Sequence, residues 1–303
     1  MYPIIQIPAN ASSQLEQLGT KAKEWYWDEH NQKVLFKEGR PGTGENWAEK
    51  VCCEICRAID IPHAEYELAT WGKREGVISP IFVPADGRLI HGNELLAKIH
   101  EDYDETRTYR SSQHTVRRVL AALSLFAPLP PIGWQIPPQI DDAAGVFLGY
   151  LMLDALVGNQ DRHHENWGLI NSLEYGVRLA PTFDHASSLG RNESDEARKE
   201  RLTSKDRGRG IEYYCRRARS GLYKTVLDSA PLDTVAAFQE AAKIRPPASR
   251  YWLGRLENVE ISSFERILAE VPDRVITATA RLFALKMLEV NRNRLLKLVE
   301  QGI

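Results

Sequence analysis

The chain has 303 residues, of which 43% are hydrophobic and 26% charged, and its formal net charge is −2. That length supports one large domain or two lobes with their own cores. The near-neutral balance gives no reason to expect nucleic-acid or membrane binding, and four cysteines, three of them crowded at 52, 53 and 56, make no disulfide framework.

The N-terminus, Met1 to Ile5, lacks the basic region and long apolar core of a secretion signal. The longest apolar stretch, Val146 to Val157, is interrupted by Gly149, Tyr150 and Asp154. It falls short of the roughly 20 apolar residues that span a bilayer. A cytoplasmic protein is therefore expected. Cys53 and Cys56 have C-x-x-C spacing, but a zinc reading needs a second ligand pair and none stands at finger spacing. The cysteines read as small buried side chains on a helix.

In chain order, Ile4 to Pro8 is a short apolar run. Glu24 to Trp27 and Lys33 to Lys37 read as a hairpin across Asp28 to Asn31. The aromatic run Trp25, Tyr26 and Trp27 reads as strand packing. Arg40-Pro41-Gly42-Thr43-Gly44 breaks the chain, and Glu45 to Ile59 follows with Trp47, Val51, Ile55 and Ile59 on one helical face. His63 to Trp71 and Gly76 to Val83 read as strands, and Pro84 to Gly87 as a turn or linker. Six helices are then expected: 93–100, 115–126, 140–157, 210–227, 233–243 and 273–301. Strands first and helices after make an α+β fold with two lobes.

The densest polar cluster follows the helix at 140–157: Gly158-Asn159-Gln160-Asp161-Arg162-His163-His164-Glu165-Asn166. An apolar strand (Trp167 to Ile170), a turn and a second strand lead to Pro181-Thr182-Phe183-Asp184. Phosphoryl transfer needs an acceptor hydroxyl held in line and metal ions on the nucleotide phosphates. An Asp to take the hydroxyl proton, an Asn five residues on and an Asp after the next strand pair meet that need with hard oxygen donors. Asp161, Asn166 and Asp184 match in type, order and spacing. An Asp and two His also suggest a metal hydrolase, but adjacent His163 and His164 lack the i, i+4 spacing of a helical zinc site. His163 reads as a loop support and His164 as exposed.

This chain resembles the HipA family of bacterial serine/threonine kinases. The match lies in Asp161-x-His163-x-x-Asn166, Leu179-x-Pro181-x-Phe183-Asp184 and the continuation through Leu189. It is clearest over roughly residues 33 to 225. Phosphoinositide kinases have a similar Asp-Arg-His-x-x-Asn loop. The resemblance implies a bilobal protein-kinase-like fold, with a strand-rich N-lobe over 1–86 and a larger helical C-lobe over 87–303. It implies ATP and Mg2+ as cofactors, Asp161 as the base, and Asn166 and Asp184 as metal ligands. Lys37 would hold the phosphates and pair with Glu49 on the following helix, with Glu45 and Glu54 as lesser candidates. Gly19, Thr20 and Lys21, in a loop with a single glycine, would cover the phosphates, and Val83 and His163 would also lie at the nucleotide.

Ser12 and Ser13 fall where this family autophosphorylates, and they read equally well as exposed loop serines. The implied partners are a protein substrate, such as a translation factor or an aminoacyl-tRNA synthetase, and a small DNA-binding antitoxin. The chain is shorter than the longest family members, so an antitoxin-docking part need not be present. A phosphoinositide or small-molecule kinase, and a catalytically dead binding module, remain the rival readings. Residues 191–224 carry eleven basic and six acidic side chains. They read either as a contact for an acidic partner or as a solvated helical hairpin.

Overall fold

In the computed structural model the described residues are 1–11, 13–15, 23–126 and 129–302. Gly19, Thr20, Lys21 and Ser12 lie outside them, and only the backbone of Ser13 is described.

Alternation of side chains builds the first sheet. Its strands are β1 (Ile4–Ile7), β2 (Ser13–Leu15), β3 (Lys23–Trp27), β4 (Lys33–Glu38), β5 (Glu67–Trp71) and β6 (Arg74–Pro80). They lie in the order β1-β5-β6-β4-β3-β2. β1 runs parallel to β5 and the other pairs are antiparallel. The β3–β4 register sets Lys23 opposite Lys37, and Lys37 opposite Val77 of β6. On one face Tyr26, Phe36 and Trp71 form an apolar cluster with Ile7, Val34, Ala69 and Ile78. The run at 25–27 therefore splits by face: Tyr26 is buried, Trp27 is 52% exposed, and Trp25 turns to the cleft described below.

Helix α1 (Glu45–Ile59) has the bounds its spacing predicts and ends in left-handed Asp60. It packs on β5 and β6. Its face of Trp47, Val51, Ile55 and Ile59 joins the main core. The turn at 84–87 closes with Gly87 N donating to Pro84 O. Beyond it lie β7 (Arg88–His91), α2 (Gly92–Ile99) and α3 (Val116–Phe126). The central helix α4 (Ala143–Val157) is buried on every side, which is why its sequence is almost continuously apolar. Asp142 caps its start and left-handed Gly158 ends it.

β8 (Gly168–Ser172) and β9 (Gly176–Leu179) form a hairpin, and β7 completes a small sheet in the order β7-β8-β9. Then come α5 (Asp195–Thr203), α6 (Ile211–Arg216), α7 (Thr234–Ile244), α8 (Pro246–Glu257), α9 (Ile261–Ala269) and α10 (Ala278–Glu300). α7, α8 and α10 all pack on α4.

Several expectations change. The helix expected over 210–227 ends at Arg216, because Arg219 and Tyr223 pair their backbones with Asp233 and Thr115. The strand expected from His63 begins only at Glu67, and His63 makes an isolated bridge to Thr182 instead. The last helix starts at Ala278, where the Thr277 hydroxyl accepts from Ala280 N and caps it. α5 and α6 supply the helical pair that one reading of 191–224 expects, whereas β2, β7, α8 and α9 are additions to the expected elements.

Candidate active site

The cleft between the first sheet and the helical part has a volume of about 1120 Å³. Its walls include Trp25, Lys37, Phe82 and Val83 from the strand-rich side and Asp161, Asn166 and Asp184 from the other.

Lys37 sits at the centre, 4% exposed. Its Nζ is 3.0 Å from Glu49 Oε2 of α1 and 3.0 Å from Asp184 Oδ1. Burial alone would lower the pKa of this ammonium. The carboxylates of Asp184 and Glu49 outweigh it and hold Lys37 well above its ordinary value. Of the three glutamates weighed on α1, Glu49 is the one that reaches Lys37. Glu45 pairs with Arg191 and Arg40, and Glu54 with Lys50 and Arg57. Lys23 Nζ is 3.9 Å from Asp184 Oδ2, so two cations from neighbouring strands approach one carboxylate.

Asp184 has φ +60°, a left-handed backbone uncommon outside glycine. Two contacts hold it there. Its N–H donates to Tyr66 Oη at 3.2 Å, and the next N–H, of His185, donates to Glu49 Oε1 at 2.7 Å. Glu49 thus ties α1 to both Lys37 and the Asp184 turn.

The loop from Gly158 to Asn166 is built around a buried ion pair. Arg162 donates from Nε to Asp154 Oδ2 and from Nη2 to Asp154 Oδ1, both at 2.8 Å. Its remaining donors reach Asn166 O at 2.6 Å and Thr182 Oγ1 at 3.0 Å. Burial opposes the charge on Arg162, and the Asp154 carboxylate more than offsets it, so its pKa is raised. Asn159 accepts from Asp161 N at 3.1 Å and donates to Asp154 at 2.8 Å. Asn166 Nδ2 donates to Asp161 O at 2.7 Å, which among the described residues leaves the amide oxygen as the uncommitted end of this cleft side chain. Ser187 Oγ donates to Asp161 Oδ2 at 3.3 Å and accepts from Arg191 Nη2 at 3.0 Å. Arg191 also pairs with Glu45 at the start of α1, so a chain of contacts joins that helix to Asp161. No residue-type pattern around Ser187 or Arg191 flags this chain of contacts.

His163 lines the cleft with Nε2 3.7 Å from Asp161 Oδ1, and its Nδ1 accepts from Glu165 N at 3.2 Å. Tyr109 meets it edge-on at 5.2 Å. Burial pushes its pKa down to about 4. His164, expected to be exposed, is 1% exposed. Its neighbour's position in the cleft turns it into the interior, where Nδ1 meets Tyr103 Oη at 2.8 Å and the ring packs against His114. In the basic segment, Arg198 pairs with Asp195, Arg201 with Glu193 and Arg216 with Glu212. Much of its positive charge is therefore answered internally.

The fold thus brings Lys37, Glu49, Val83, Asp161, His163, Asn166 and Asp184 to one cleft. A buried lysine, two carboxylates and an amide oxygen can hold a polyphosphate, a hard cation and a hydroxyl. Among the described residues, no helix is long and apolar enough to cross a membrane.

No protein-family model matches the chain, and no curated protein matches it by sequence. Solved structures do match in shape. The Helicobacter pylori proinflammatory kinase CtkA superimposes with a TM-score of 0.72 at 18% identity, covering 98% of this chain and 99% of that one. HipA of Shewanella oneidensis MR-1, solved with HipB and operator DNA, superimposes at 0.58 and 11% identity, over 95% of this chain and 66% of that one. This chain has the mixed α+β, kinase-like fold of the HipA and CtkA structures.

Proposed function

We propose that the protein is a kinase that transfers the γ-phosphoryl of ATP to a serine or threonine hydroxyl of another protein. The observation that carries the proposal is the pair of 3.0 Å contacts from buried Lys37 to Glu49 and Asp184, in one cleft with Asp161 and Asn166. The nucleotide would lie between the strand-rich lobe, 1–86, and the helical lobe, 87–303, with Val83 beside the base. Lys37 binds the phosphates, and Glu49 keeps its ammonium aimed. Asp161 accepts the proton of the attacking hydroxyl as the new O–P bond forms and the bond to ADP breaks. Ser187 and Arg191 fix the rotamer of Asp161.

The donor set also fits Mg2+. Asn166 presents an amide oxygen because its nitrogen is committed to Asp161 O, and Asp184 presents a carboxylate. These two residues would hold the ion, which when bound neutralises charge on the phosphates. His163, neutral above about pH 4, supports Asp161 without adding a positive charge to the cleft.

By its similarity to HipA, the protein is further proposed to act in the cytoplasm on a component of translation and to pair with a small DNA-binding antitoxin. The match to HipA spans 66% of that chain. Regulation by phosphate on Ser12 or Ser13 belongs to the same proposal, through the charge that the modification adds. The test is incubation with γ-labelled ATP and Mg2+, offering a protein mixture and, separately, phosphoinositide vesicles. Label on protein serine or threonine, reduced about 10²- to 10⁴-fold in Asp161→Asn, is expected. Label on lipid alone would move the assignment to the phosphoinositide reading.

A further inference from the structure

The reaction proposed above leaves the cysteines of α1 unused. Behind the cleft, Cys53 meets two other ligand-type side chains. Cys53 Sγ lies 3.6 Å from Glu65 Oε2, and Glu65 Oε1 lies 3.6 Å from His63 Nε2. One ligand atom from each of the three residues can be chosen so that all lie within 4.8 Å of one another. Tetrahedral bonds of about 2.0–2.3 Å place neighbouring donors roughly 3.3–3.8 Å apart, so either Glu65 oxygen already makes one edge of that length, Oε2 with Cys53 or Oε1 with His63, and a turn of the half-exposed carboxylate closes the rest.

His63 is preset as a ligand. Its Nδ1 lies 2.7 Å from the Ile61 carbonyl oxygen, which makes Nδ1 the protonated nitrogen. Nε2 then carries the lone pair, and among the described residues it is buried without a hydrogen-bond partner on a side chain only 10% exposed. A backbone carbonyl fixing one ring nitrogen while the other faces a metal is the usual outer arrangement of a histidine ligand. A lone pair facing a carboxylate oxygen gains nothing unless a cation or proton sits between them.

We propose that Cys53, His63 and Glu65 bind a thiophilic divalent cation of the zinc class, with solvent completing the shell. Glu65, 53% exposed, is the entrance. Arg57 now pairs with Glu65 and also with Glu54 at 2.6 Å, so it keeps a partner when Glu65 turns to the ion. The Cys53 proton leaves to buffer as the thiolate binds. The C-x-x-C spacing does not make the site, because its ligands converge from α1 and the 63–65 segment. The ion would pin the helix that carries Glu49 to a segment whose backbone bonds both sides of Thr182, two residues before Asp184.

The test is titration of the full chain with Co2+ as a spectroscopic substitute. One equivalent should give a thiolate-to-cobalt charge-transfer band, displaced by Zn2+ and retained in Asp184→Asn. Cys53→Ser should abolish the band, and His63→Gln and Glu65→Gln should each weaken binding by about tenfold or more. Glu65→Gln alters only a half-exposed side chain, so folding does not confound it. A missing band in the wild type, a band that survives in Cys53→Ser, or wild-type affinity in Glu65→Gln overturns the proposal.

Discussion

Arg162 bears on Asp161 through the backbone of the loop that presents it. Its guanidinium spends donors on Asp154, Asn166 O and Thr182, linking α4, the loop and the segment between β9 and Asp184. Replacing it with methionine leaves the Asp154 carboxylate buried with only Asn159 as a donor. A loss of about 3–5 kcal/mol is expected, read as a lower urea midpoint. An unchanged midpoint would mean the ion pair is dispensable. Asp161, Asn166 and Asp184 were legible because their spacing is local and their chemistry specific. Lys37 and Glu49 were implied by the family resemblance, with Glu45 and Glu54 as alternatives on the same helix, since position alone marks Lys37 only as a strand-end lysine. Asp154 was not legible, since one acid in an apolar helix gives no sign of its partner eight residues on. His164 was misread because adjacency to a cleft histidine does not tell which way a side chain turns.

At the scale of elements, the segment after α6 packs backbone against backbone on the catalytic-type loop. A Cβ on Gly221 would come 2.7 Å from the Arg162 carbonyl carbon and 2.9 Å from His163 N. Neither atom can yield as a flexible side chain would. Gly221→Ala should therefore cost about 1–3 kcal/mol and lower turnover by displacing Asp161. Thermal melting together with phosphoryl-transfer rates checks this, and a fully active, equally stable variant would contradict it. This close approach also explains why the expected helix over 210–227 stops early. Its period continues in sequence, but packing against the loop and bridging to Thr115 and Asp233 claim the backbone. The bounds of α1 were readable from a clear apolar stripe between a Gly-rich break and Asp60. α8 and α9 were not, because both begin without a side-chain cap, at Arg245 and Glu260.

The whole molecule holds several histidines neutral. Burial pushes His163 and His164 down to about 4 and His114 to about 3, against an ordinary value of 6.5. Between those limits the unfolded chain binds more protons than the folded one. Stability is therefore complete above pH 6.5 and is lost progressively as pH falls toward 4. Urea midpoints should fall between about pH 7.5 and pH 5, with a shallower fall in His164→Gln. A midpoint that is flat over this range would contradict the burial of these rings.

The central claim, that the cleft is a magnesium-nucleotide site, is tested most directly by calorimetric titration of ATP into the purified chain with and without Mg2+. The arrangement of Lys37, Asn166 and Asp184 predicts one ATP bound per chain, tighter when Mg2+ is present. Absence of ATP binding under both conditions would contradict the account.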